Sequence, residues 1–403
     1  MNSIELFAGA GGLALGVSQA GFRHSGVIEW DRHACETLRE NIRRKHKLVR
    51  GWPLLETDIR GFDFSEISDD VDLLSAGVPC QPFSIAGKHE GYRDRRNLFP
   101  ELFRAVRSLR PKAILIENVK GLLRESFATY FEYIVLNLTY PNCRPRPKDT
   151  WRDHLKRLEG HQTQGKATDL KYNVVFRLLN SADYGVPQRR ERVFVVCLRS
   201  DLNVEWSFPE PTHCLDALLS AQFETGEYWE RHNIRRNQRR TATPQELKRV
   251  KLWRANLIPR VADPWVTVRD AISDLPSPQM REHDQTVPSN HVLIPGARAY
   301  VGHTGSPLDL PAKTLKAGDH GVPGGENTLA LPNRRVRYFT VRESARLQTF
   351  PDDFVFRGSW TESMRQLGNA VPVTIATILA RAISMRLIAS DLKSLRPRSK
   401  KVR

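Results

Sequence analysis

Cys80 sits in the stretch Gly77-Val-Pro-Cys-Gln-Pro-Phe-Ser84, just after the apolar run Val71-Asp-Leu-Leu-Ser75. The run reads as a buried strand entering a turn, so the cysteine falls at a strand's C-terminal edge, where ligands gather in open parallel α/β sheets. Pro79 and Pro82 restrict the backbone on either side and fix where the sulfur points. A thiolate held in this way is a nucleophile; a lone cysteine is also a common small buried hydrophobe. Glu117 and Asn118 close a second apolar run, Ala113-Ile-Leu-Ile-Glu-Asn-Val119. A carboxyl group set against apolar neighbours can act as a proton donor, and it can equally cap a helix or close an ion pair. Arg190 and Arg192 lead into the apolar run Val193-Phe-Val-Val-Cys-Leu198 and stand two residues apart, which turns both to one side of an extended chain. Such a pair can bind a phosphate or a carbonyl oxygen, and an ordinary basic loop has the same composition.

These groups need a scaffold that brings strand ends together. Ser3-Ile-Glu-Leu-Phe7 reads as a strand, Ala8-Gly-Ala-Gly-Gly12 as a glycine turn and Leu13 to Ala20 as a helix, an arrangement that lets the backbone approach a ligand at a helix N-terminus. A second strand, Ser25 to Ile28, leads to Glu29-Trp30-Asp31, where a carboxylate can accept the hydroxyls of a ribose. Gly9, Gly11 and Ala14 also satisfy G-x-G-x-x-A, so a dinucleotide dehydrogenase fits this part equally well, as does a tight turn with no ligand. Asp31 to Asn41 reads as a helix, and Asp58 either holds a cofactor base or caps a turn. The polar stretch Ile85 to Arg96 suits a loop over a phosphate backbone or a solvated surface loop. A helix over 97–109 and strands over 113–119, 173–178 and 193–198 complete an α/β alternation, with 140–169 as an exposed insertion or flexible helical excursion.

The chain of 403 residues carries 62 Lys and Arg against 45 Asp and Glu, a formal charge of +17, which points to a polyanionic partner, nucleic acid first and an acidic membrane surface second. Five cysteines at 35, 80, 143, 197 and 214, without CxxC pairs, argue against a disulfide framework or a structural zinc site and for the cell interior. The N-terminus has no leader pattern and no stretch approaches the ~20 apolar residues of a membrane span, so a soluble protein is expected. Alternation is lost from about 200 to 333, which reads as a second domain inserted in the first. Within it, nine cations and one acid between Arg231 and Arg254 suit either a phosphate-tracking surface or a solvated basic face. Thr340 to Gln348 reads as a capped helix, Thr374 to Leu387 as an apolar one, and the tail after Lys393 as basic and disordered.

In this order the motifs resemble the DNA (cytosine-5)-methyltransferases of bacterial restriction–modification systems. Leu6-Phe-Ala-Gly-Ala-Gly-Gly12, Glu29-Trp30, Gly77-Val-Pro-Cys-Gln81, Glu117-Asn-Val119, Gln188-Arg-Arg-Glu-Arg192, Thr340 to Phe354 and Gly368-Asn-Ala-Val-Pro372 carry the likeness, which spans residues 3 to about 387. The dehydrogenase reading does not account for the last five of them. The resemblance implies a Rossmann-like S-adenosylmethionine-dependent α/β domain over 1–199 and 334–390, a target-recognition domain over 200–333 and a basic tail over 391–403. It further implies methyl transfer to C5 of cytosine through Cys80, with Glu117, Arg190 and Arg192 on the flipped-out base and no metal. Cofactor contacts are implied from Phe7, Gly9, Gly11, Gly12, Glu29, Trp30, Asp58, Ile59, Asn369 and Val371, and DNA contacts from Gln81, Ser84, Arg95, Thr314 and Leu315. Double-stranded DNA, a cognate restriction endonuclease acting on the same site, a monomeric state and the bacterial cytoplasm or nucleoid complete the expectation. A tRNA cytosine-5 methyltransferase would share every catalytic motif, and a catalytically silent DNA-binding protein is the remaining alternative.

Overall fold

The computed structural model describes residues 1–67, 69–79, 97–165, 169–255, 263–280, 289–299, 304–317, 327–331 and 335–394. The chain divides into two compact units, one of residues 1–179, 191–209 and 376–403, the other of residues 180–190 and 210–375. The expected insertion of 200–333 lies in the second unit from residue 210 onward, and that unit also takes in 334–375.

The first unit is a sheet of seven strands: β1 (Asn2–Leu6), β2 (Arg23–Glu29), β3 (Leu54–Glu56), β4 (Leu73–Gly77), β5 (Ala113–Val119), β6 (Tyr172–Asn180) and β7 (Glu191–Arg199). They lie in the order β3-β2-β1-β4-β5-β7-β6. β1 pairs in parallel with β2 and β4, and β4 with β5, whereas β7 runs antiparallel to β5. From β1 the chain winds one way to β2 and β3 and the other way to β4 and β5. The switch point therefore falls between β1 and β4, and the loops leaving their C-terminal ends border the crevice where doubly wound sheets bind ligands. The glycine turn leaves β1, and the segment that contains Cys80 leaves β4.

β4, β5 and β7 read as nearly continuous apolar runs and are buried along almost their whole length, as strands covered on both faces are. α1 (Gly12–Gln19) follows β1, α2 (Arg32–Arg43) follows β2, and α3 (Phe99–Leu109) and α4 (Ala128–Thr139) flank β5 in sequence. Leu102, Phe103 and Val106 of α3 and Ile134 and Leu138 of α4 pack with Ile4, Leu6, Ile114, Ile116, Val193 and Val195 in one core. Residues 140–165 are ordered rather than a loose excursion. Thr150 and Asp153 form a capping box for α5 (Trp151–Thr163), and Leu155 and Leu158 pack on Leu136 and Tyr140 of α4. Of the two readings of 140–169, the helical excursion is the one present, and its packing on α4 was hidden because the helix shows only a narrow apolar stripe among charged residues.

The alternate residues of β1, Ser3 and Glu5, are polar yet 0% and 1% exposed. His24 Nε2 lies 3.0 Å from the Ala14 carbonyl oxygen, which can only accept, so Nε2 carries the proton and Nδ1 accepts from the Ser3 hydroxyl at 3.0 Å. Burial pushes the His24 imidazole down to about 4, in keeping with a neutral ring. Glu5 accepts from the Ser75 hydroxyl, and its burial outweighs that bond and raises the carboxyl from the ordinary 4.5 to about 8. α1 in turn lies against the C-terminal helix (Val373–Ser394). A Cβ on Gly16 would come 2.4 Å from the Ala376 Cβ, and the Thr377 hydroxyl donates to Gln19 at 2.8 Å.

One expectation about apolar runs is corrected. The stretch Trp360–Leu392 holds an 18-residue window apolar enough to cross a membrane by length and composition, although 61% of that window is buried in the protein. Leu379, Ile383 and Leu387, one turn apart, are 0–1% exposed, as in a core helix.

The second unit contains four short helices where the sequence shows no periodicity, α6 (Leu215–Phe223), α7 (Glu227–Arg231), α8 (Pro244–Arg254) and α9 (Val268–Ile272), then the expected helix α10 (Val341–Leu347) and α11 (Trp360–Asn369). Its strands form two small pairs, β8 (His213–Cys214) with β9 (Asp263–Pro264) and β10 (Thr328–Ala330) with β11 (Val336–Tyr338). Leu218, Ala221, Tyr228 and Trp229 make a local core, in which the Tyr228 hydroxyl meets both Thr267 and Asp309 at 3.0 Å. Thr243, Thr267 and Thr340 each close a capping box. The helices α6 to α9 are fixed by their caps and buried aromatics rather than by a long apolar stripe, which is why periodicity does not reveal them.

A carboxyl whose folded value is raised contributes its full stabilisation below the unfolded value, and loses it as pH climbs through the folded one. Wild-type stability, measured by urea unfolding, should therefore fall between about pH 4.5 and pH 8 relative to Glu5→Gln, by on the order of a few kcal/mol. Parallel pH profiles for the two proteins would refute this account of Glu5.

Candidate active site

The glycine turn after β1 is built for close approach. Phe7, Gly9 and Gly11 all have positive φ, at 57°, 54° and 87°. Phe7 is a costly residue for that region, whereas Gly11 has no alternative: a Cβ there would come 3.0 Å from Leu38 and 3.2 Å from Trp52. Gly11 also occupies the N-cap of α1 with no side chain capping the helix, so Gly12 opens a helix whose first N–H groups are not taken by a side chain. Glu29, at the end of β2, is 7% exposed and receives hydrogen bonds from the Gly9 N–H at 2.7 Å, Trp30 at 2.8 Å and Asp31 at 2.7 Å. Burial raises its carboxyl above the ordinary value against the pull of those bonds. Trp30 beside it is 64% exposed, an aromatic face with no packing role in the core. Asp58 instead caps the turn that follows it, accepting from Arg60 N at 3.0 Å and pairing with the Arg60 guanidinium at 3.2 Å, while Ile59 is buried. Of the two readings of Asp58, turn cap and cofactor contact, this geometry supplies the first.

Across the crevice, register sets the remaining groups. Gly77 of β4 lies opposite Glu117 of β5, and Glu117 opposite Phe194 of β7, while Val119 faces Arg192. Glu117 and Arg192 are thus diagonal neighbours on one face, within reach of long side chains. Arg192 Nε lies 3.0 Å from Glu117 Oε1, with the two side chains 15% and 10% exposed. Oε1 nevertheless accepts no hydrogen bond of good direction among the described residues. An oxygen held by charge alone can take a proton donor from a ligand without a protein hydrogen bond being broken. Asn118, buried beside it, donates to the Val78 carbonyl at 3.2 Å and accepts from Val119 N at 2.8 Å, fixing the chain two residues before Cys80. The sequence did not single out this clamp; an Asn at the end of an apolar strand was the available signal. Cys80, Gln81, Ser84 and Arg95 lie outside the described residues.

Arg190 and Arg192 do not act as the side-by-side pair that their spacing suggests. The chain becomes a strand only at Glu191, and Arg190 is 1% exposed, donating to the carbonyls of Leu315 at 3.3 Å and Gly368 at 2.8 Å. Gln188 joins it: Nε2 donates to Leu347 O at 3.2 Å, and Oε1 accepts from Leu315 N at 2.9 Å. The Thr314 hydroxyl donates to Arg189 O at 2.6 Å, and Arg189 N and Ala312 N exchange bonds with Ala312 O and Pro187 O. One short segment thus clasps Thr314-Leu315, the end of α10 and the turn that presents Asn369. Asn369 itself is exposed and Val371 is buried. Gly368 must be glycine here, since a Cβ would meet Ala317 N at 2.4 Å. Of the cations between 231 and 254, four are spent on partners: Arg231 on Asp270, Arg240 on Glu246, Arg249 on Asp216 and Arg254 on Glu224. Arg235, Arg236, Lys248 and Lys251 are exposed.

The model of the C-5 cytosine-specific DNA methylase family matches residues 1–140 and 153–385. The chain is 32% identical to the type II methyltransferase M.PspPI of Psychrobacter sp. (strain TA137) over 390 residues, 96% of this chain and 80% of that protein. It is 31% identical to the type II methyltransferase M.Eco47II of Escherichia coli, over 94% of this chain and 78% of that one. Among solved structures, the S. pombe Dnmt2 methyltransferase superposes with a TM-score of 0.53 at 18% identity, covering 96% of this chain and 99% of its own, which shows a shared fold.

Replacing the buried guanidinium tests the clasp. Arg190→Lys keeps the charge but cannot span both carbonyls, so unfolding free energy should drop by about 1–3 kcal/mol. Arg189→Ala, at an exposed side chain, should stay within about 0.5 kcal/mol of wild type. Equal stability of Arg190→Lys and wild type in denaturant titration would count against the clasp.

Proposed function

Because the chain belongs to the C-5 cytosine-specific DNA methylase family, we propose that it moves a methyl group from S-adenosylmethionine to C5 of a cytosine within one short duplex sequence. The observation that supports this reading best is the strand register that sets Glu117 against Arg192 and brings the segment leading to Cys80 off the sheet beside them. The uncapped N-terminus of α1, the Glu29 carboxylate and the exposed Trp30 ring suit a ligand with a carboxylate, a ribose and a base. When bound, S-adenosylmethionine supplies a methyl group on a sulfonium, an electrophile that the protein's own side chains lack.

In this reading the Cys80 thiolate adds to C6 of the cytosine, and the electron pair of the C5–C6 bond moves to C5, which becomes nucleophilic. Glu117 bonds to N3 and the exocyclic amine, so that protonation at N3 keeps the adduct from carrying a full negative charge. Arg192 holds the O2 side. After methylation the C5 proton leaves to a base, its bonding pair re-forms the C5–C6 double bond, and Cys80 is expelled. C6 is covered in a stacked duplex, so the target base must swing out, at a cost of a few kcal/mol that protein–DNA contacts offset. Arg190 serves as a positioning residue, since its donors are committed to the Leu315 and Gly368 carbonyls. Residues 200–333 read the site through the major groove, with Thr314 and the 1% exposed Leu315 held in the clasp rather than on the bases, and the exposed cations Arg235, Arg236, Lys248 and Lys251 follow the phosphates. The enzyme acts as a monomer in the bacterial cytoplasm or nucleoid and protects DNA from a restriction endonuclease of the same specificity.

The test is to incubate the protein with mixed-sequence duplex DNA and methyl-labelled S-adenosylmethionine, digest to nucleosides and identify the label. Label in 5-methylcytosine is expected, abolished by Cys80→Ser and reduced about 10²- to 10⁴-fold by Glu117→Gln with DNA binding retained. Substantial turnover by Cys80→Ser would remove the nucleophile, and label in RNA with none in DNA would overturn the substrate.

A further inference from the structure

The match to the family model breaks over residues 141–152, between the end of α4 and the start of α5. From 141 to 157 the chain carries six cations, Arg144, Arg146, Lys148, Arg152, Lys156 and Arg157, against two carboxylates, Asp149 and Asp153. Both carboxylates are engaged locally. Asp149 accepts from Arg146 N at 2.8 Å and pairs with Arg157; Asp153 closes the capping box with Thr150. The other five cations are exposed. Among the described residues no carboxylate meets them in an ion pair, although Arg152 lies 5.3 Å over the ring of Trp151. The loop is nonetheless rigidly held: Arg157 donates to Arg144 O at 2.7 Å, and His154 lies 2.6 Å from Cys143 O and 3.1 Å from the Tyr133 hydroxyl. Arg107 of α3, more than half buried, is pulled below its ordinary value by burial and by the nearby charge of Arg144. Like charges are thus brought together on a fixed scaffold, an arrangement that costs free energy until an anion arrives.

Its place in the fold separates this surface from the catalytic edge. Asn142 donates to Asp169 at 2.6 Å, and Asp169 also pairs with Arg110 at 3.1 Å. Arg110 precedes β5 and Asp169 precedes β6, so the insertion is tied to the starting end of β5, whereas Glu117 lies near its finish. A strand of that length spans about 20 Å. These cations are thus anchored at the end of the sheet opposite to the one that carries Glu117.

We propose that residues 141–157 form a second duplex-DNA surface, through which the protein holds another DNA segment while the first occupies the catalytic edge. The inference rests on DNA being the substrate. It gives the insertion a use that base recognition does not require, namely keeping a long polymer at hand between catalytic encounters.

The test is a bridging measurement with the full chain. A biotinylated 30-bp duplex is immobilised, the protein is added at low salt, and capture of a second, fluorescent duplex is read. Wild type should bridge. Arg144→Glu/Arg146→Glu/Arg152→Glu should lower capture tenfold or more and flatten the plot of log affinity against log salt by about 3 in slope, while methylation of short duplexes stays within twofold. The triple glutamine variant should lower capture in the same direction and guards against misfolding of the charge reversal. Unchanged capture by both variants would overturn the proposal, as would a wild type that methylates DNA without bridging. Equal capture of polyglutamate or single-stranded RNA would overturn the assignment to duplex DNA. Failure of methylation in wild type itself would refute the catalytic reading and leave the bridging result to be judged separately.

Discussion

The pairing of β7 with β5 is the constraint from which the chemistry of the first unit follows. Side chains alternate with period two along a strand, so a slip of one residue would carry Arg192 to the face opposite Glu117 and exchange Val193 and Phe194 between two differently shaped packed faces. Burial forbids the slip. Val193, Val195 and Cys197 lie in the main core, while Phe194 and Val196, pointing the other way, are equally closed to solvent at 1% each. The bond from Arg199 N to Lys112 O at 2.9 Å pins the far end. The ion pair is therefore a by-product of hydrophobic register, and its geometry is as exact as the packing that enforces it.

The two arginines flanking Glu191 illustrate how neighbouring residues of one type take different work. Arg192 is in a strand, diagonal to a carboxylate. Arg190 lies just before the strand and is enclosed by backbone carbonyls, which accept from a guanidinium without neutralising it. A planar fork of five donors can serve several such oxygens at once, which an ammonium cannot. With Gln188 it gathers three distant stretches of chain, and so the position of Asn369 is decided by residues nearly 180 positions earlier in sequence.

Much of this was legible in sequence because it is encoded locally. The strands ending at Leu6, Gly77 and Val119 are short apolar runs, the glycine turn carries its own conformational requirement, and the Thr340 cap announces α10. Glu117 was identifiable as a carboxylate at a strand end, but its ion pair was not, since that depends on the antiparallel return of β7. The destination of Arg190 was hidden for the same reason: carbonyl acceptors belong to every residue and leave no trace in a sequence. Glu5 escaped notice because a single acid in an alternating strand looks solvent-facing until helices cover that face. The short helices α6 to α9 escaped because caps and isolated aromatics, not a repeating stripe, hold them.

The contact of Gly16 with Ala376, and of Gln19 with Thr377 across 358 positions, bears on how the protein comes into being. The helix that follows the glycine turn leaves a ribosome some 358 residues before its buttress. Until the C-terminal helix emerges, α1 has an open flank and Gly16 nothing to fit against. Synthesis at roughly 5–20 residues per second makes that interval tens of seconds. The flank of the glycine turn is therefore completed long after the turn itself is made, and α1 reaches its full packing only when the helix Val373–Ser394 docks.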